Sequence, residues 1–231
     1  MQILYDGKAK TLYPGPDPQT VIVFFKDSVT AGDGKKRASI PGKGALAAQI
    51  SVKLFELLKG KVPSHYLKQL DKQSFLAHRV QIIPLEVVVR NCAAGSIVKR
   101  LGLTRGQPFT PPLLELFYKS DALHDPPICD AHALALNITT QKELAQIKHQ
   151  ALHANAILTD YFASLGLKLV DMKFEFGRTP DGEILLADEI SPDTMRLWDA
   201  HTNESLDKDV FREDTGDLLE VYREVARRMG L

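Results

Sequence analysis

LKLVDMKFEFG, residues 167–177, alternates by twos. Successive side chains of a strand point to opposite faces, so Val170, Met172, Phe174 and Phe176 form one apolar face while Asp171, Lys173 and Glu175 fall on the other. The turn Arg178-Thr179-Pro180-Asp181-Gly182 joins this strand, 167–176, to a second at 183–190. The second strand carries Asp188 and Glu189 into a Ser191-Pro192-Asp193 turn. LADEISPDTMRLWD, residues 186–199, then continues to Arg196 and to Trp198, the single tryptophan. Two strands joined by a short turn form a hairpin rather than a strand–helix–strand crossover. That decides for α+β over a doubly wound α/β sheet.

Upstream of the hairpin, Thr140 and Glu143 form a capping-box pattern. Leu144, Ile147, Ala151, Ala154, Leu158, Tyr161 and Leu165 then recur at helical spacing, and Gly166 ends the helix. Further strands are expected at 74–83 and 85–90, and a helix at 45–59 with Leu46, Ile50, Leu54 and Leu57/Leu58 on one stripe. At the start, 2–13 around Gly7 and 20–26 (TVIVFFK) read as strands, and the glycine-rich 27–44 segment as an irregular loop. A last helix is expected at 215–229. The residue before proline is driven to extended geometry, which places a domain boundary at Ile83-Pro84 and divides the chain into 1–83 and 84–231.

With 231 residues, 44% hydrophobic and 25% charged, the composition is that of an ordinary globular protein. A formal net charge of zero gives no global argument for a nucleic-acid or membrane partner. Cys92 and Cys129 lack metal-ligand spacing, and neither a signal-like N-terminus nor a membrane-length apolar run is present, so a cytoplasmic protein is expected.

Three constellations could carry chemistry. On the hairpin, Asp171, Lys173 and Glu175 approach Asp188 and Glu189 in either register. Clustered carboxylates repel, and magnesium relieves this by taking one or two of them while leaving positions for water and phosphate oxygens. A solvated polar face is the plainer alternative. In YDGKAK a glycine precedes Lys8 and Lys10, which would share a strand face near a polyphosphate. The spacing of a P-loop or a dinucleotide fingerprint is absent. In PLEVVVRNCAAGS, residues 84–96, Glu86, Val88 and Arg90 share a face, and Ser96 opens a short helix where an anion could bind. His65, His78 and His201 have no motif spacing and read as incidental.

Taken in order, YDGKAKTLY, DSVTAGDGKK, PLEVVVRNCAAGS, LVDMKFEFG, DEISPDTMRLWD and LDKDVFR closely resemble the SAICAR synthetase family over nearly the whole chain, of the monofunctional bacterial type. The resemblance implies a two-domain α+β fold. A small N-terminal antiparallel sheet, like a kinase lobe or an ATP-grasp domain, forms the nucleotide-binding lobe (1–83). A larger α+β substrate- and metal-binding domain (84–231) follows, with an ATP cleft between the two. It implies ATP-dependent ligation of L-aspartate to the carboxylate of 5-amino-1-(5-phosphoribosyl)imidazole-4-carboxylate (CAIR) through an acyl phosphate, giving SAICAR in de novo purine synthesis. By the same resemblance Lys8, Lys10, Lys119 and Glu175 contact ATP, and Glu175 and Asp188 hold magnesium. Arg90, Ser96, Arg196 and Asp33 bind the imidazole nucleotide, and Lys173 and Asp171 lie at the reacting carboxylate. ATP and Mg2+ are the implied cofactors, the partners are small molecules, and a homodimer is left open. A small-molecule kinase or a non-catalytic nucleotide-binding module would use the same hairpin.

Overall fold

The computed structural model describes residues 2–31 and 36–231, so the expectation for Asp33 falls outside the described residues. Two antiparallel sheets carry the structure. β1 (Tyr5–Asp6), β2 (Lys10–Pro14) and β3 (Thr20–Phe25) begin the first, followed by a separate ribbon of β4 (Ser28–Ala31) and β5 (Lys36–Ser39), then α1 (Lys43–Leu58), β6 (Tyr66–Gln69) and β7 (Ser74–His78). The first sheet has the order β1-β2-β3-β7-β6. α1 packs on β3, β6 and β7 and buries Ile50, Leu54, Phe55 and Leu58 completely.

The second sheet starts with β8 (Gln81–Cys92), then α2 (Ser96–Leu101), β9 (Pro108–Tyr118), a 3-10 turn at Asp121–Leu123, β10 (Pro127–Ile128), α3 (Asp130–Ala135) and α4 (Gln141–Ser164). β11 (Leu167–Arg178), β12 (Ile184–Ala187), β13 (Met195–Asp199), α5 (Asp209–Arg212) and α6 (Leu218–Arg228) complete the chain. The order is β10-β9-β8-β11-β12, and β13 pairs with the first half of β11. This is the α+β architecture expected from the hairpin. α4 starts on the Thr140–Glu143 capping box and packs against β11, whose Met172, Phe174 and Phe176 share its core. Val170, expected on the same face, instead joins Trp198, because a bulge between Leu169 and Asp171 breaks the alternation.

The opposite face of β11 is not in water: Asp171 and Glu175 are each 3% exposed, Asp171 beneath Arg90 and Arg196 and Glu175 beneath Lys119 and Lys173. Register, unreadable beforehand, sets Glu175 opposite Ala187 and Glu86. Asp188 is thus the first residue beyond β12.

Three local expectations are corrected. The expected strands 74–83 and 85–90 are divided not at Pro84 but at residues 79–80, and β8 runs through Ile83-Pro84, so the expected boundary falls inside a strand. Residues 2–13 are not one strand but a hairpin, in which the Gly7 N–H donates to the Lys10 carbonyl at 2.8 Å. Lys8 therefore sits on the turn and Lys10 opens β2, so they do not share a strand face. Within 27–44, residues 28–31 and 36–39 pair as the β4–β5 ribbon rather than remaining irregular. Among the described residues no helix is long and apolar enough to cross a membrane.

Candidate active site

Two cavities open along the polar face of β11. The first, ≈ 340 Å³, is lined by Arg90, Ser96, Asp171, Lys173, Arg196 and Arg212 among others. The second, ≈ 460 Å³, has apolar walls from Leu12, Val21 and Val23 of the first sheet and from Val80 and Ile82, with Lys10, Lys119, Glu175 and Asp188 at its polar end. Lys173 joins them. Its Nζ lies 3.0 Å from Glu86 Oε1 in the first cavity and 2.5 Å from Glu175 Oε1 in the second.

In the first cavity, Asp171 organises two arginines. Its Oδ2 accepts from Arg90 Nη1 at 2.7 Å and from Arg196 Nη1 at 2.9 Å. Arg90 Nε also donates to Glu115 at 2.7 Å, and Glu115 accepts Arg100 at 2.6 Å. Arg196 Nε donates to Asp209 at 2.7 Å, and Asp209 also accepts Arg212. Burial would lower the Arg196 pKa, but Asp171 and Asp209 outweigh it and raise it further above the ordinary arginine value. Gly95, at φ 63, makes this packing possible: a Cβ there would lie 2.6 Å from Arg196 Nη2, so only glycine lets the guanidinium rest on the backbone. Gly95 also caps α2, leaving Ser96 as its first residue.

At the polar end of the second cavity, Lys10 Nζ is 2.6 Å from both Asp188 Oδ1 and Glu189 Oε1, and Lys119 pairs with Glu175 Oε2. Burial opposes the charge of Lys10, but Asp188 and Glu189 prevail and raise its pKa. Burial likewise acts to raise the Asp188 pKa, and Lys10, Lys173 and Lys119 overcome it, holding the carboxyl below the usual range. The end of this cavity is therefore a set of alternating lysines and carboxylates.

The structure thus brings together Arg90, Ser96, Asp171, Lys173 and Arg196 in one cavity and Lys10, Lys119, Glu175 and Asp188 in the other. Lys8 is in neither: it pairs at 2.7 Å with Asp121 on the surface. Of the other acids of 186–199, Glu189 accepts from Ser191. Asp193 is buried against Lys43 and Tyr222 and also borders the first cavity. Asp199 pairs with Arg228 at 2.8 Å.

Arg212, Glu115 and His65 were not singled out as site residues. Arg212 lies in LDKDVFR, so its signal was present; Glu115 and His65 have none in local spacing. His65, read from sequence as incidental, lies beside the second cavity. It is 5% exposed, its Nε2 lies 3.1 Å from the Asp188 carbonyl, and burial lowers its pKa to about 4, leaving the imidazole neutral.

The model of the SAICAR synthetase family matches residues 3–229. The chain belongs to that family. It is 52% identical over 229 residues to the phosphoribosylaminoimidazole-succinocarboxamide synthase of Oceanobacillus iheyensis, covering 98% of this chain and 97% of that one. The Persephonella marina synthase is 50% identical over 227 residues, covering 98% of this chain and 95% of its own. Among solved structures, the Ehrlichia chaffeensis synthase superposes with a TM-score of 0.96 at 42% identity, covering 99% and 98% of the two chains. A SAICAR synthetase in complex with ADP gives 0.95 at 48% identity, covering 99% and 97%.

Proposed function

We propose that the protein ligates L-aspartate to the carboxylate of CAIR, driven by ATP, giving SAICAR, ADP and phosphate in purine biosynthesis. The observation that carries this reading is the adjacency of the two cavities at Lys173, in a chain matched by the family over residues 3–229. One cavity has apolar walls and a charged end, as a nucleotide needs. The other is lined by three arginines and a serine, as a phosphorylated, carboxylated imidazole needs.

In this reading the adenosine of ATP lies between Leu12, Val21, Val23, Val80 and Ile82. Lys10 and Lys119 turn from their carboxylates to the phosphates, with Lys8 at the cleft edge. Arg90, Arg196 and Ser96 hold the anionic groups of CAIR, with Asp33 as a further contact. Asp171, through its hydrogen bonds to both arginines, keeps their orientation, and Lys173 stands beside the reacting carboxylate. A CAIR carboxylate oxygen attacks the γ-phosphorus; the bond to the bridging oxygen breaks and ADP leaves. The amine of aspartate then attacks the acyl carbon and expels phosphate, losing a proton as the amide forms. Phosphorylation is needed because a free carboxylate has no competent leaving group. Positioning and charge neutralisation are what the protein supplies.

Glu175 and Asp188 suit magnesium: both are hard oxygen donors at the charged end of the nucleotide cavity. Bound there, magnesium would neutralise phosphate charge.

The test is an ADP-release assay with each substrate omitted in turn. Release should require CAIR and, for turnover to SAICAR, aspartate. ADP release with a hydroxyl acceptor and without CAIR would instead identify a small-molecule kinase.

A further inference from the structure

Asp188 has φ 60. A left-handed conformation is unfavourable for a residue with a Cβ, though aspartate tolerates it better than most, and it persists where its surroundings hold it. It ends β12 and admits the Asp188 side chain to the nucleotide cavity. The group that holds it comes from the other sheet's side of the cleft. His65 Nε2 lies 3.1 Å from the Asp188 carbonyl oxygen, and because a carbonyl only accepts, the nitrogen is the donor.

The ring itself is fixed. It packs against Phe55 and Phe75, with centroids 5.5 and 5.6 Å away, and those two rings also touch each other. The His65 N–H donates to the Leu186 carbonyl at 2.8 Å, the Leu186 N–H donates to Pro63 at 2.9 Å, and the His78 N–H donates to the His65 carbonyl at 2.7 Å. The segment is thereby tied to β12 two residues before Asp188 and to β7 of the first sheet.

We infer that His65 is a positioning residue of the nucleotide–metal site: its Nε2–H anchors the Asp188 carbonyl, holds the left-handed turn and so sets the carboxylate into the cleft. This rests on the proposed reading of Asp188 as a magnesium ligand. The imidazole also lines the nucleotide cavity, but its effect on the metal runs through the backbone of Asp188. Phenylalanine at 65 would fill the aromatic cage but leave the carbonyl without a donor. Glutamine would carry an amide N–H to nearly the same point.

Isothermal titration of ADP, in magnesium and in EDTA, tests this on the full chain, with CAIR affinity as the control for folding. The wild type and His65→Gln should gain similarly in ADP affinity from magnesium. In His65→Phe that gain should shrink on the order of 10-fold, as expected for one buried hydrogen bond, with CAIR affinity unchanged. Asp188→Asn should lose the gain altogether. Retention of the wild-type gain in Asp188→Asn would overturn the metal-ligand reading and this inference with it. If Asp188→Asn loses the gain while His65→Phe keeps it, or if His65→Gln loses as much as His65→Phe, the role of His65 alone is overturned. Should His65→Phe fail to bind CAIR, His65→Met takes its place with the same outcomes.

Discussion

Lys8 and Lys10 are two positions apart and electrostatically unalike. The Lys8 side chain is 53% exposed and pairs with an Asp121 that is 77% exposed, whereas Lys10 is 13% exposed between Asp188 and Glu189. Exposed pairs contribute little because water and salt screen them, while removing one partner of a buried pair strands the other charge. Lys10→Met should therefore lower stability by roughly 3 kcal/mol in urea denaturation, and Lys8→Ala by less than about 0.5 kcal/mol. Both are proposed to reach the phosphates, so both should reduce kcat/KM for ATP: Lys10→Met by the loss of one charge-assisted contact, about 1.5–3 kcal/mol, and Lys8→Ala by less, since its side chain stands outside both cavities. An unchanged kcat/KM in Lys8→Ala would take that side chain out of the cleft. Gly95→Ala makes a complementary prediction. The new methyl would meet the Arg196 guanidinium at 2.6 Å and is strained at φ 63, so KM for CAIR should rise at least 10-fold, a cost of about 1.4 kcal/mol, with KM for ATP little changed. Equal rises in both constants would mean that Arg196 does not serve the first cavity. Residue-level reading of the sequence found the strand face of Asp171, Lys173 and Glu175 because alternation is strictly local. It gave no hint of Asp171 accepting from both Arg90 and Arg196, or of Glu115 behind Arg90, because those contacts depend on which strands become neighbours.

At the scale of elements, the most legible one is α4, since a capping box, an apolar stripe and a terminal glycine all lie within one stretch of chain. β9 was invisible for the opposite reason. Its prolines at 108, 111 and 112 argue against a strand, yet β10 covers only residues 116 and 117 of it, so that half of β9 is an edge where proline is tolerated. β8 hides similarly: Pro84 falls at the irregularity where β11 skips from Glu86 to Ile82 as its partner. Even α4 held something unreadable. Besides capping, Glu143 is paired with Arg178 at the end of β11, tying the helix start to the central strand. The Arg178 hydrogen bond, against a smaller effect of burial and with help from Thr140, lowers the Glu143 pKa from 4.5 to about 2. A carboxylate whose folded pKa is depressed contributes stability above its unfolded pKa and loses it as pH falls towards the folded value. The contribution is thus whole above pH 4.5 and gone below about 2. Glu143→Gln keeps the capping geometry without the charge. It should cost about 1 kcal/mol near neutrality, given the partial exposure of the pair, and the deficit should close between pH 4.5 and 2. Thermal melts of both proteins across that range check it, and a pH-independent deficit would mean that the ion pair contributes nothing.

For the whole molecule, a net charge of zero concealed a strongly organised cleft, because composition averages over the lysines and carboxylates that alternate there. The order of motifs along the chain was enough to suggest the family, but not how the two sheets share a core. One continuous cluster of buried side chains includes Val23 and Phe75 of the first sheet, Leu58 of α1, Val87 and Phe174 of the second sheet, Leu158 of α4 and Tyr222 of α6. Separate lobes joined only by a linker would each close their own core. A shared one, with the Pro63–His65 segment hydrogen-bonded to Leu186 across the sheets, couples their unfolding. A single cooperative transition should follow, with far-ultraviolet circular dichroism and Trp198 fluorescence giving the same urea midpoint. Trp198 packs with Cys92, Ala94 and Val170 and so reports on the second sheet alone. The second cavity has apolar walls from both sheets, Leu12, Val21 and Val23 of the first and Ile82 of the second, so under the proposed reading ADP stabilises both together. At 100 times its dissociation constant it should add about 2.7 kcal/mol and raise both thermal midpoints by roughly 5–10 °C. Two separated transitions, or an ADP shift seen by circular dichroism but not by Trp198, would show that the sheets unfold independently and that the cleft does not bind its nucleotide across them.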